Sequence, residues 1–324
     1  MTESAMTSST NTLVAAPEIS IVIPVYNEQA NLPLLFQRLT AVVDQMGRPT
    51  EIVFTDDGSK DNSLTLLKGF VAQRPDLIRV VEFDRNYGQH MAVMAGFETA
   101  RGTFIVTLDA DLQNPPEEIP KLIAEMDKGH DVVGSYRRDR QDSLLRTLPS
   151  RLVNYVRERI TGIKMRDQGC MLRGYHRSIV RIIVESGETS TFIPALAQFY
   201  AERPTEVEVE HAARHAGASN YTLYMLLRLN FDLMTGFSLV PLQVFTIVGM
   251  AVSGGSLLLV FYMLLRRIFV GPEAEGIFTL FAILFFLLGV IITGLGIVGE
   301  YVGRIYQQVR ARARFRIRTI HEKN

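Results

Sequence analysis

Two aspartates one residue apart, Asp109 and Asp111, end the apolar run in TFIVTLDADLQNPPEE, Thr103–Glu118. Two like charges at the tip of a core strand raise one another's pKa unless something positive faces them. Alternate residues of an extended segment point the same way. The spacing therefore predicts two carboxylates turned toward one divalent ion. Magnesium and manganese take oxygen ligands, and magnesium commonly binds one or two carboxylates together with a substrate phosphate. An acidic helix start with proline at its first position accounts for Glu117 and Glu118. It does not account for Asp109 and Asp111.

Three other polar clusters follow apolar runs. ISIVIPV, Ile19–Val25, leads into the rest of PVYNE; EIVFTDD leads into DDGSKD; IRVVEF leads into DRNYGQH. DDGSKDN also suits a turn and helix cap, and RNYG a turn in which Gly88 opens a helix. Arginines that suit phosphate oxygens follow: Arg137, Arg138, Arg140 and Arg146 in SYRRDRQDSLLR, and Arg214 in RHAGASNY. Each has the alternative of a solvated surface arginine. Asp167 in MRDQGCMLR is a further carboxylate candidate, or a turn residue.

Elements must bring these clusters together. Helical patterns run from Leu32 to Met46, from Asn62, from Gly88 to Ala100 and from Pro116 to Lys128; TFIVTLD and DVVGSY complete the strands. Strands alternating with helices predict an α/β domain with a mostly parallel sheet covered on both faces. Ligands bind such sheets outside the carboxyl ends of the strands. That is where the four polar clusters fall.

The 324 residues balance 34 Lys and Arg against 34 Asp and Glu, so no global field attracts nucleic acid. One cysteine, Cys170, excludes an intramolecular disulfide and a cysteine-clustered zinc site. Residues 1–18 read as a flexible leader without a signal-peptide pattern. Charge is absent between Asp232 and Arg266, and again between Glu275 and Glu300. Such lengths predict two transmembrane helices, about 240–265 and 276–299 within 237–300. Arginines in the connecting loop and in the basic tail, 301–324, place both termini and the 19–218 domain in the cytoplasm by the positive-inside rule, with the tail on anionic lipid. Residues 219–236 suit an interfacial amphipathic helix or a helix packed on the domain. GLGIVG, Gly294–Gly299, matches a dinucleotide fingerprint, but lies inside a span; close helix packing explains it better.

PVYNE, DDGSKD and DADLQNPPEE together resemble the family 2 glycosyltransferases of the GT-A fold. The form DADLQNPPE followed by two spans is similar to the polyprenyl-phosphate group. RNYGQH, MAGF, GCMLR, STFIP and GEYVGRIY narrow the resemblance to members that carry formamido-arabinose for lipid A modification. It implies a UDP-sugar donor, undecaprenyl phosphate as acceptor, Mg2+ or Mn2+, and the bilayer of a bacterial inner membrane; it also admits a homo-oligomer. It assigns Pro24, Tyr26, Asn27, Glu28, Asp56, Asp57, Asn86 and Ser219 to the donor, and Asp109, Asp111 and Gln113 to the metal. It gives Arg137, Arg140 and Arg214 to the phosphates and puts Asp167 near the reacting centre. Asn220 departs from the pattern, standing where the family has a lysine. Glucose, mannose and N-acetylglucosamine remain alternative sugars. A processive polysaccharide synthase is disfavoured, because its Gln-x-x-Arg-Trp motif needs a tryptophan and the chain has none.

Overall fold

A computed structural model describes residues 16–137, 165–167, 169–186, 192–210, 239–271, 277–309 and 314–323. Eight strands form one mixed sheet: β1 (Ile19–Val25), β2 (Thr50–Asp56), β3 (Ile78–Phe83), β4 (Phe104–Thr107), β5 (Val132–Arg137), β6 (Arg173–His176), β7 (Pro204–Val209) and β8 (Ile317–His321). Their order is β7-β5-β6-β4-β1-β2-β3-β8. β1 pairs in parallel with both β2 and β4, and β2 with β3. Every residue of β1 and β3 is buried, as befits strands covered on both faces.

The helices are α1 (Leu32–Met46), α2 (Ser63–Gln73), α3 (Gln89–Thr99), α4 (Ile119–Asp127), α5 (Arg177–Glu185), α6 (Ile193–Tyr200), α7 (Val240–Phe269) and α8 (Ile277–Val309). α1 shows the helical stripe, burying Leu32, Leu35, Leu39, Val42 and Val43 against the sheet. Leu32, Leu35 and Leu39 share one apolar cluster with Ile21, Ile23 and Phe54; Val22, Val53 and Phe83 share another with α3 and α5. Gly96 of α3 lets the helix close on β1, since a Cβ there would lie 2.2 Å from Val22 Cγ1.

Three strands depart from the expected alternation. β6 lies between β4 and β5 and is antiparallel to both; β7 extends the far edge beside β5. β8 arises from the segment expected to lie as a basic tail on lipid. It pairs antiparallel with β3 and closes that edge of the sheet. Its charges mask it in the sequence: IRTIH alternates, but sits among arginines.

α7 and α8 run 30 and 33 residues. Over Ile283–Gly303, α8 is long and apolar enough to cross a membrane, with a mean hydropathy of 2.3. Among its described residues α7 carries a shorter apolar run, Val240–Val252. Arg266 and Arg267 belong to the last turn of α7 rather than to a loop. A Cβ on Gly294 would lie 2.1 Å from Phe245 Cζ, so this glycine of GLGIVG serves close helix packing, as the sequence suggests.

Candidate active site

The chain order of the parallel strands reverses at β1, which has β2 on one side and β4 on the other. This is the switch point where connections leave in opposite directions and a crevice opens. The β1–α1 loop and the β4–α4 loop flank it. The first carries Tyr26, Asn27 and Glu28, the second Asp109, Asp111 and Gln113.

Two residues with positive φ mark the crevice: Asn27 at 56° and Leu112 at 60°. Non-glycine residues occupy this region at a cost, Asn more readily than Leu. The Asn27 turn is stitched to the loop after β2. Asn27 N–H donates to Ser59 Oγ at 3.1 Å, and Asn27 Oδ1 accepts from Lys60 N–H at 2.8 Å. Glu28 N–H donates to Ser63 Oγ at 2.9 Å, and Gln29 N–H to Asp61 Oδ2 at 3.2 Å. The turn chemistry of DDGSKDN thus builds the site's floor. Pro24 is buried within β1, whereas Tyr26 is exposed at 41%.

Asp56 and Asp57 are both almost fully buried. Asp57 accepts Tyr87 N–H at 2.6 Å on Oδ1 and Gly88 N–H at 2.9 Å on Oδ2. Burial pushes its carboxyl above the ordinary range, opposed by those two bonds and reinforced by neighbouring Asp56. Burial likewise raises Asp56, against bonds from Ser59, and Glu82 adds to the rise. Asp56 Oδ1 has no partner among the described residues. Gly58 sits between, at φ +68°; a Cβ there would meet Arg85 C at 2.5 Å and Asn86 N at 2.7 Å. The second and third polar strand ends are therefore packed backbone to backbone, with Asn86 exposed at the surface of that contact.

The acidic pair does not lie on an extended segment. β4 ends at Thr107, and Ala110 and Asp111 belong to a turn. The ladder stops because Leu108 N–H makes the last bond to β1, at Val22 O, and Leu112 then reverses the chain. Asp111 is 8% exposed and accepts Gln113 N–H at 3.1 Å; Asp109 is more open and accepts Gln89 Nε2–H at 2.7 Å. Among the described residues no three His, Cys, Asp or Glu side chains form a metal cluster. Two carboxylates without sulfur or imidazole still suit a hard ion that completes its shell with substrate phosphate and water.

Asp167 and Arg137 were expected at the reacting centre and on a phosphate. The structure joins them to each other: Arg137 Nε and Nη2 donate to Asp167 Oδ2 and Oδ1 at 2.6 and 3.1 Å. The Asp167 side chain is 4% exposed, and a charge so buried requires a partner. Gly169 N–H adds a bond to Oδ1 at 3.0 Å, so Asp167 is also the turn residue that the sequence allowed. Behind this turn, buried Arg173 donates to Asp167 O and Cys170 O at 2.6 and 2.9 Å. Cys170 Sγ reaches Asn114 Oδ1 at 3.3 Å, tying the turn to the acidic loop. Arg140, Arg214, Ser219 and Asn220 lie outside the described residues.

Sequence reasoning passed over Gln89, Asn114 and Arg173. Gln89 stood within DRNYGQH, at a helix start after a polar strand end, which was signal enough. Arg173 had a weaker one, a charge inside the strand-like stretch MLRGYH. Nothing local distinguishes Asn114 from a turn residue.

Residues 20–184 match the family described as glycosyl transferase family 2. The undecaprenyl-phosphate 4-deoxy-4-formamido-L-arabinose transferase of Shewanella sediminis is 48% identical over 93% of this chain and 92% of its own. That of Serratia proteamaculans is 47% identical over 94% of each. Glucosyl-3-phosphoglycerate synthase from Mycobacterium tuberculosis, solved with Mg2+ and UDP, is a looser likeness. Its identity is 17% and its TM-score 0.47, over 68% of this chain and 78% of that one. With a family match across the whole β1–β6 region and relatives near half identity along almost its full length, the chain belongs to glycosyl transferase family 2.

Proposed function

We propose that this glycosyltransferase moves 4-deoxy-4-formamido-L-arabinose from a UDP donor to undecaprenyl phosphate at the cytoplasmic face of a bacterial inner membrane. The product would serve lipid A modification and resistance to cationic peptides such as polymyxin. The observation that carries the chemistry is the acidic pair beside the β1 loop at the switch-point crevice. The similarity to transferases bearing that name supports the sugar and the lipid acceptor.

Tyr26, Asn27, Glu28, Asp56 and Asp57 line or support the uridine side, with Pro24 ending the strand beneath them and Asn86 at its rim. Asp109 and Asp111, with the side-chain carbonyl oxygen of Gln113, would hold Mg2+ or Mn2+. Such an ion supplies charge compensation for a departing diphosphate when bound. Gln89 orients Asp109, and the Arg173 and Arg137 network fixes the Asp167 turn next to Asn114. Arg140 and Arg214 are assigned to phosphate oxygens, and Ser219 to the donor. Asn220 in place of lysine removes one positive charge from that set.

The acceptor is a phosphate monoester with a second pKa of about 6, so it is already largely dianionic near neutral pH. It needs little help from a base. The protein's task is to bring two anions together in line, which inverts the anomeric centre, and arginines do this by positioning and charge. α7 and α8 are read as two membrane spans. They would hold the domain where the lipid phosphate emerges; residues 219–236 lie outside the described residues.

The test is sugar transfer by the purified full chain to undecaprenyl phosphate with Mg2+ or Mn2+. UDP donors of formamido-arabinose, glucose and N-acetylglucosamine are compared. The first should be preferred, and Asp109→Asn should lose most turnover while remaining folded. Preference for another donor would overturn the sugar; an active Asp109→Asn with unchanged metal dependence would overturn the site.

A further inference from the structure

The end of the chain is built into the half of the sheet that carries Asp57. β8 begins eight residues after α8 ends, and its register against β3 sets His321 beside Val80, Ile320 beside Val81 and Thr319 beside Glu82. Glu322 bonds Arg79 at 2.7 Å and Arg101 at 3.0 Å. Arg79 is itself buried and also reaches Glu51 at 3.0 Å. Glu82 receives Lys68, Arg318 and His321 at 3.2, 3.3 and 2.8 Å. A lipid-facing tail would not need this many specific partners on one strand.

The contacts continue past β8 toward the crevice. Phe315 stacks on Phe83 with ring centroids 5.2 Å apart and planes 19° from parallel. Phe83, 2% exposed, meets Tyr87 edge-on at 5.5 Å. The Arg85 guanidinium lies over the Tyr87 ring, 4.9 Å from its centre. Tyr87 and Gly88 are the two residues whose N–H groups hold the Asp57 carboxylate. Asp84 N–H also approaches Arg316 O, at 3.4 Å.

We propose that Phe315 is a positioning residue for the donor pocket, acting through Phe83 and Tyr87 on Asp57. The C-terminal strand would thereby make donor binding depend on the segment that follows α8. This inference rests on Asp57 belonging to the donor site. On this account a soluble piece ending near residue 235 would bind nucleotide less tightly than the full chain. Such a piece lacks β8, opens the edge of β3 and leaves Phe83 uncovered.

The test uses the full chain in nanodiscs, with UDP affinity measured by calorimetry and donor KM, acceptor KM and kcat by sugar transfer. Phe315→Ala should weaken UDP by about three- to tenfold, the span of one aromatic contact. Donor KM should rise in step, while acceptor KM and kcat at saturating donor stay within about twofold. Phe315→Tyr, which keeps the stacked ring, should restore UDP affinity; Thr319→Ala, an exposed side chain on the same strand, should leave it unchanged. Asp57→Asn gauges the underlying site. If it weakens UDP but Phe315→Ala does not, the proposal falls and the site stands. If Asp57→Asn leaves UDP binding intact, the donor-site assignment itself fails. Loss of kcat or acceptor use alone in Phe315→Ala, or no recovery in Phe315→Tyr, would overturn a positioning role.

Discussion

Replacing Arg137 with methionine separates a structural ion pair from a phosphate contact. The Asp167 side chain is 4% exposed and that of Arg137 26%, and two bonds of 2.6 and 3.1 Å join them. Removing the guanidinium deprives a buried carboxylate of its two described charge-assisted bonds, while the Gly169 N–H still donates to it. Breaking buried pairs costs about 3–5 kcal/mol. The partial exposure of Arg137 puts this one near the lower end, about 3 kcal/mol. For a domain of roughly 150–250 residues that lowers Tm by about 6–12 °C. Replacing both, as Arg137→Met with Asp167→Leu, should recover much of the loss, because two apolar groups leave no unpaired charge. Cys170 supplies the assay: it is the single cysteine, it is buried, and it touches Ser135 and Asn114 in this same region. A thiol-reactive dye therefore reports its exposure on heating the purified full chain. If Arg137→Met keeps the wild-type Tm yet loses acceptor use, the guanidinium serves a phosphate and the structural account is wrong.

Gly58→Ala should destabilise by about 2 kcal/mol or more and weaken UDP, because positive φ and a backbone clash act together. Gly47→Ala, at φ +62° with nothing within 4 Å of its Cβ, should cost only about 1 kcal/mol; equal losses in thermal unfolding would refute the packing of Gly58 on Arg85. Acid should loosen β8. Burial pushes Glu82 up, but bonds from His321, Lys68 and Arg318 more than offset this and hold its carboxyl below the ordinary range. A depressed carboxylate contributes stability that is present above its unfolded pKa, about 4.3, and lost as pH falls through the lower folded value. Glu82→Gln should flatten the fall in stability below that pH; an unchanged slope would show that the cluster contributes nothing.

Much of the sheet was legible because its strands are short apolar runs and its helices periodic, and both patterns are local. Ile19–Val25, Ile78–Phe83 and α1 fall where the sequence put them. Polar residues at the ends of those strands were equally visible, since an uninterrupted core run stopping at aspartates has few other uses. What they do for one another was not. Asp57 could be read as a ligand residue, yet its oxygens also hold the loop after β3, a contact between residues thirty positions apart.

Residue types and spacing by themselves determined the α/β class, the family, the acidic pair and two long helices, one of them long and apolar enough to cross a membrane. Tertiary structure decided which charges are spent on each other. Arg137 and Asp167 stand thirty positions apart in the sequence, and only the fold pairs them. IRTIH looks like part of a basic tail until the open edge of β3 offers it backbone partners. Burial and strand pairing are set by segments distant in the chain, so no local pattern in the sequence records them.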